Sequence, residues 1–144
     1  MKNLYFKLTL ALLFLFTLNV SAQNWTEIIN ATASDAAAAD QFGWSVAIDG
    51  DTAIVGANRD DDGGSNSGSV YVFIRSGSTW IEQAKLTASD AAAGDSFGVS
   101  VSIDGDTAIV GAYEKSSGRV QEWHGAAYIF TRSGTIWSQQ AKLT

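Results

Sequence analysis

Residues 42–57, FGWSVAIDGDTAIVGA, return at 97–112 as FGVSVSIDGDTAIVGA, 55 positions further on and with two substitutions. A period of this length restricts a chain to architectures in which one supersecondary unit stacks on its own copies. A second pair of stretches, SGSVYVFIRSGSTWIEQAKLT at 67–87 and HGAAYIFTRSGTIWSQQAKLT at 124–144, repeats at an offset of 57. The two extra residues fall between Ala112 and Gly125. Loops absorb insertions and strands do not. The segment 58–67 and its counterpart 113–124 are therefore read as a loop.

Each copy predicts four short strands. Trp44, Val46 and Ile48 alternate with Ser45 and Ala47, the period of a strand with two unlike faces. Asp49-Gly50-Asp51 is a tight-turn signal. Thr52–Ala57 is a small, apolar second strand, expected to be covered on both faces. Val70–Ile74 is the third strand and Trp80–Leu86 the fourth, with a turn at Ser76-Gly77 between them. The alanine stretches 36–39 and 91–93 are too short to hold a helix alone and are read as loop.

One further match extends the pattern backwards. WTEIINATASD at 25–35 aligns with WIEQAKLTASD at 80–90, so residues 25–32 read as a fourth strand lacking its first three. Four-stranded antiparallel sheets arranged radially form a β-propeller, in which a terminal strand can complete the blade made by the other end. The expected fold is all-β: two complete propeller blades and one N-terminal closing strand of a larger ring. The boundaries are an orphan strand at 25–32, a first repeat at 33–87 and a second at 88–144.

Phe42-Gly43 followed by Gly56-Ala57, and Phe97-Gly98 followed by Gly111-Ala112, resemble FG-GAP repeats. These are the blades of integrin α-subunit propellers and of many secreted bacterial proteins. GSVYVF at 68–73 is similar to the strand that follows in that family. The resemblance covers 25–144 and implies a ring of about seven blades. Asn58 and Tyr113 stand where the family's name has proline. Two blades leave two faces open. If each is on the order of a few hundred Å², at ~25 cal/mol per Å² they forfeit about 10 kcal/mol. The chain is thus expected to be the front piece of a longer one, with further blades or self-association covering those faces.

Lys2 and Lys7 precede an apolar run from Leu8 to Leu18, and Val20-Ser21-Ala22 closes it. This is the pattern of a secretory signal peptide at 1–22, shorter than the roughly 20 apolar residues of a spanning helix. The mature chain would be secreted or at the cell surface, with no membrane span. Its formal charge changes from −6 to −8, since the leader holds two lysines and no acidic residue. So acidic a domain repels phosphate backbones and makes nucleic acid a poor partner. No cysteine is present, which excludes a disulfide-stapled scaffold.

Catalysis has little to work with: His124 is the only histidine, and no serine sits in a nucleophile elbow. The resemblance raises calcium as a cofactor, but the family's Asp-rich loop between the FG and GAP strands is absent. Only Asp49-Gly50-Asp51 and Asp104-Gly105-Asp106 stand there, too few oxygens for an ion that takes 6–8. Asp60, Asp61 and Asp62, in NRDDDGGSN, are the better metal candidates, against the simpler reading of a solvated acidic loop. Asp35, Asp40, Asp90 and Asp95 recur between blades and suit turn or capping roles. Arg119, Glu122, Trp123 and His124 group in the longer loop as a ligand candidate, unless Trp123 begins a strand and packs. Trp25, Trp80 and Trp137, with Tyr71, Tyr128, Phe73 and Phe130, recur as expected blade-to-blade core.

The function expected from these features is non-enzymatic. An exported propeller would bind an extracellular protein or carbohydrate through its loops, for adhesion or recognition. The alternatives are the propeller part of a larger secreted hydrolase and a purely structural repeat of a surface protein.

Overall fold

A computed structural model of the chain describes residues 31–114 and 124–144. Within them lie eight strands and no helix: β1 Phe42–Asp49, β2 Thr52–Ala57, β3 Ser69–Ser76, β4 Thr79–Leu86, β5 Phe97–Asp104, β6 Thr107–Ala112, β7 Ala126–Ser133 and β8 Ile136–Leu143. They form two antiparallel four-stranded sheets in sequence order, β1-β2-β3-β4 and β5-β6-β7-β8. These are two propeller blades, as the repeat predicted. The alanine stretches form turns. The orphan strand expected at 25–32 lies almost wholly outside the described residues, and the leader expected at 1–22 lies wholly outside them. No helix among the described residues is long and apolar enough to cross a membrane.

Both halves of the repeated motif, FG and GA, have a mechanical reason. Pairing of β1 with β2 jumps from Phe42↔Ala57 to Ser45↔Gly56, leaving Gly43 and Trp44 as a bulge; β5 does the same at Gly98 and Val99. Gly43 and Gly98 hold φ near 90°, a conformation that glycine reaches without steric cost. Such a bulge re-aims the residue beside it, here Trp44 and Val99. The glycine of the second half serves approach between blades. A Cβ at Gly56 would collide with the Gly98 carbonyl oxygen, and one at Gly98 would lie 2.6 Å from the Ser69 carbonyl oxygen.

Alternation gives each blade two faces. The leading face of blade 1 carries Val46, Ile48, Tyr71, Phe73 and Arg75, and its trailing face Ile54, Val70 and Val72. The trailing face of blade 1 packs on the leading face of blade 2, enclosing Ile54, Val70, Val72, Leu86, Phe97, Ala108, Val110, Tyr128 and Phe130. β5 lies against β1, β2 and β3, and further out β4 touches β8. Within each blade the FG phenylalanine packs edge-on against the tyrosine of the third strand: Phe42–Tyr71 at 5.6 Å and Phe97–Tyr128 at 5.5 Å. Trp80 and Trp137 are half-buried at the margin rather than in the core. Trp137 donates its indole N–H to Gln83, the extra residue of a bulge in β4, at 3.0 Å.

β2 was expected to be covered on both faces; blade 2 buries its trailing face, but on its leading face Ala53 and Val55 are only half-buried. Its copy β6 shows the reverse: Ala108 and Val110 are buried in the junction, and nothing among the described residues lies on the trailing face of blade 2. Ile54 is fully buried and Ile109, its equivalent, is 41% exposed.

Candidate functional site

Two constellations stand out, one repeated in both blades and one formed between them. The first is a clamp. In blade 1 the Tyr71 hydroxyl donates to Asp35 at 2.7 Å, and the Lys85 ammonium donates to the same carboxylate at 2.6 Å. In blade 2 Tyr128 and Lys142 hold Asp90 at 2.7 and 2.8 Å. Beside each, Ser34 binds Glu82 and Ser89 binds Gln139, with bonds of 2.9 Å throughout. The incoming loop is thereby tied to the outer two strands of the blade it enters. Asp40 and Asp95 have the turn role predicted, accepting from the N–H groups of Ala37 and Ala92. Asp35 and Asp90 do more than cap a turn.

The long loop adds charge to the first clamp only. Asp60, 3% exposed, accepts from Ser69 and Lys85 at 2.9 Å and, also at 2.9 Å, shares the single Tyr71 hydroxyl proton with Asp35. Asp62 reaches Lys85 at 2.5 Å. Asp35, Asp60 and Asp62 therefore offer oxygens within 4.8 Å of one another, and the Lys85 ammonium pairs with all three. Of the candidate metal ligands, Asp60 and Asp62 belong to this group. Asp61 turns away to accept from the Asn66 N–H at 2.7 Å, and Asp35 takes its place. Lysine charge and the Tyr71 hydroxyl hold the Asp35 carboxyl below its ordinary range. Burial works to raise Asp60, but Lys85, the Asp62 N–H and the Tyr71 and Ser69 hydroxyls outweigh it and lower it. Burial likewise opposes the Lys85 charge, and the three carboxylates drive its pKa up. Burial and the Asp35 carboxylate push the Tyr71 hydroxyl up. The cluster thus carries its own cation, as a side chain.

The second constellation is an open cleft of about 570 Å³ between the blades. The bulge aims Trp44 to it, 56% exposed. Gln41, Asn58 and Arg59 line it from blade 1; Ser96, Val99, Tyr113 and Glu114 line it from blade 2. The side-chain oxygens of Gln41 and Asn58 are buried without a hydrogen-bond partner, although Asn58 is only 6% exposed. Buried polar groups are ordinarily satisfied, so this pair is an unmet capacity to accept. Gln41 and its equivalent Ser96 hold φ 58° and 55°, a left-handed setting built into the entry of both blades. Tyr113 donates to Glu114, which raises its hydroxyl pKa.

Four equivalent pairs line this cleft: Gln41/Ser96, Trp44/Val99, Asn58/Tyr113 and Arg59/Glu114. Every pair differs, as do equivalent pairs within the strands such as Val70/Ala127, Ile74/Thr131 and Ile81/Ser138. The FG and GA motif residues repeat in both blades, whereas these four cleft-lining pairs do not. In the sequence Asn58 and Tyr113 stand out only as departures at the proline position, and the other cleft residues are hidden among the many positions at which the copies differ.

Of the ligand candidates in the second long loop, Arg119, Glu122 and Trp123 lie outside the described residues. His124 is exposed and borders, with Tyr113 and Leu143, a shallower depression on the trailing side of blade 2. The eight motif residues Phe42, Gly43, Gly56, Ala57, Phe97, Gly98, Gly111 and Ala112 all lie in β1, β2, β5 and β6.

A family model described as FG-GAP repeat matches residues 25–73 and again 80–130. No curated protein matches the chain.

Proposed function

This chain belongs to the FG-GAP repeat family, and from that premise we propose that its blades serve as an exported, non-enzymatic recognition module for a hydroxyl-rich extracellular ligand such as a glycan. The observation that carries the reading is the inter-blade cleft lined by residues that break the repeat. Its chemistry suits sugars. Trp44 and Tyr113 offer aromatic faces, while Gln41 and Asn58 hold acceptor oxygens that ligand hydroxyls can satisfy. Arg59 and Glu114 add one charge of each sign at the rim. Ligand sites commonly combine an apolar platform with a few placed polar groups in this way.

Asn58→Ala separates binding from folding. Removing an unsatisfied buried group costs little stability or adds some, whereas a ligand loses a hydrogen bond. On a glycan array, followed by calorimetry with the glycans that bind, Asn58→Ala and Trp44→Ala should each weaken affinity about tenfold or more, equivalent to about 1.4 kcal/mol. Melting temperatures should stay within a few degrees of the parent. An array without binders, or binding that both variants retain, rejects the reading.

A further inference from the structure

We propose that the trailing face of blade 2 docks the leading face of blade 1 of a second copy of this chain, head to tail, reproducing the junction already present between the two blades.

That junction supplies the template, and the repeat carries most of it over, with Ala127, Ile129 and Ser102 standing where Val70, Val72 and Ala47 pack in the junction. Ile54 and Leu86, 0% and 4% exposed in the junction, correspond to Ile109 and Leu143, 41% and 49% exposed. On the other side Val101 and Ile103 are partly covered, whereas their equivalents Val46 and Ile48 are 68% and 64% exposed. Arg132 shows the same contrast. Its side chain is 17% exposed where it donates to Thr52 across the junction at 3.0 Å, and its equivalent Arg75 is 51% exposed. The molecule thus presents both halves of one interface, on opposite ends.

The polar pairs transfer as well. Ser45 donates to the Gly98 carbonyl at 2.6 Å, and the Gly105 N–H donates to Asp49 at 2.7 Å. The corresponding groups are Ser100, Asp104 and Thr107 on the free trailing face, and the Gly43 carbonyl, the Gly50 N–H and Arg75 on the free leading face. Gly111 supplies an independent sign. It has no left-handed φ, and a Cβ there would meet only Ser100 of its own blade. Glycine inside a strand weakens it relative to alanine. Its counterpart Gly56 is glycine because the Gly98 backbone presses on it. A second copy would press Gly43 on Gly111 in the same manner.

Such a contact is heterologous, since two different faces meet, and it propagates until a ring closes. This gives a test that nonspecific association fails. Val46→Lys blocks only the leading face and Ile109→Lys only the trailing face, both at exposed positions that leave the blade intact. By sedimentation velocity the parent chain should form assemblies larger than a dimer. Each variant alone should be monomeric, because its one good face finds only a blocked partner. Mixed one to one, they should form a dimer and stop. A parent chain that stays monomeric overturns the proposal, and so does a single variant that still assembles or a mixture that stays monomeric. Circular dichroism of each variant should match the parent.

Discussion

Ala39 holds φ 78° in the loop entering blade 1, and at the matching place in blade 2 stands Gly94, φ 84°. A Cβ in that conformation costs roughly 1 kcal/mol, so Ala39→Gly should raise the melting temperature by a few degrees. Unchanged or lower melting would mean that the added freedom of the unfolded chain outweighs the strain. Lys85 is the more consequential residue. Without its ammonium, buried Asp60 faces Asp35 and Asp62 uncompensated, and breaking such a pair costs about 3–5 kcal/mol where burial is full. Two of the three carboxylates are about half exposed, so Lys85→Met should lose about 2–3 kcal/mol at neutral pH. Millimolar calcium should raise the melting temperature of that variant well above its effect on the parent, in which the ammonium holds the same oxygens. Equal calcium shifts in both would show that the carboxylates do not act as a group.

At the scale of elements, the two glycines of the second strand make a controlled comparison. Gly56→Ala drives a methyl into the Gly98 backbone, whereas Gly111→Ala meets a serine hydroxyl that can rotate away. Overpacking typically costs 1–3 kcal/mol. Urea unfolding of the monomer should therefore show Gly56→Ala destabilised by about 2 kcal/mol and Gly111→Ala by much less. Strand order was legible in the sequence: Thr52–Ala57 is β2 as read, and the second loop's two-residue insertion falls between β6 and β7. Local alternation and turn glycines determine those elements, and both are visible in a linear string. The bulges at Gly43 and Gly98 were not read, because a bulge is a relation between two strands. The clamp escaped for a similar reason. Asp35 and Tyr71 lie 36 positions apart, and only the folded blade makes one the acceptor of the other. The repeat itself was the available clue, since Asp, Tyr and Lys recur together at 35, 71, 85 and at 90, 128, 142.

For the whole molecule, pH acts through these clamps. Asp35 and Asp60 titrate lower folded than unfolded. They contribute stability above the ordinary carboxylate value of 3.8, and that contribution is lost as pH falls through their depressed folded values. Lys85 and Tyr71 titrate higher folded than unfolded. Their contribution is present below about 10 and is lost as pH rises through the folded values. Thermal melts should show a plateau from about pH 5 to 9 with a fall on either side, and Lys85→Met should lose height mainly on the plateau. A parent whose melting temperature keeps rising from pH 5 to pH 3 would contradict the assignment. The candidate cleft was the least legible part of the molecule. It lies between two blades, and its lining comes from four separate segments brought together by packing alone.

The clamped loop also determines how the array carries tension. A pull transmitted from β4 towards β5 reaches Ser89 and Asp90 first, and these are fastened to β8 and β7 of the next blade. Load therefore bypasses the innermost strand and is shared by the outer pair, through an ion pair, a tyrosine hydroxyl and a glutamine amide acting in parallel. Peeling β5 away from that end requires these bonds to break first, so each loop works as a strain relief for the strand that follows it.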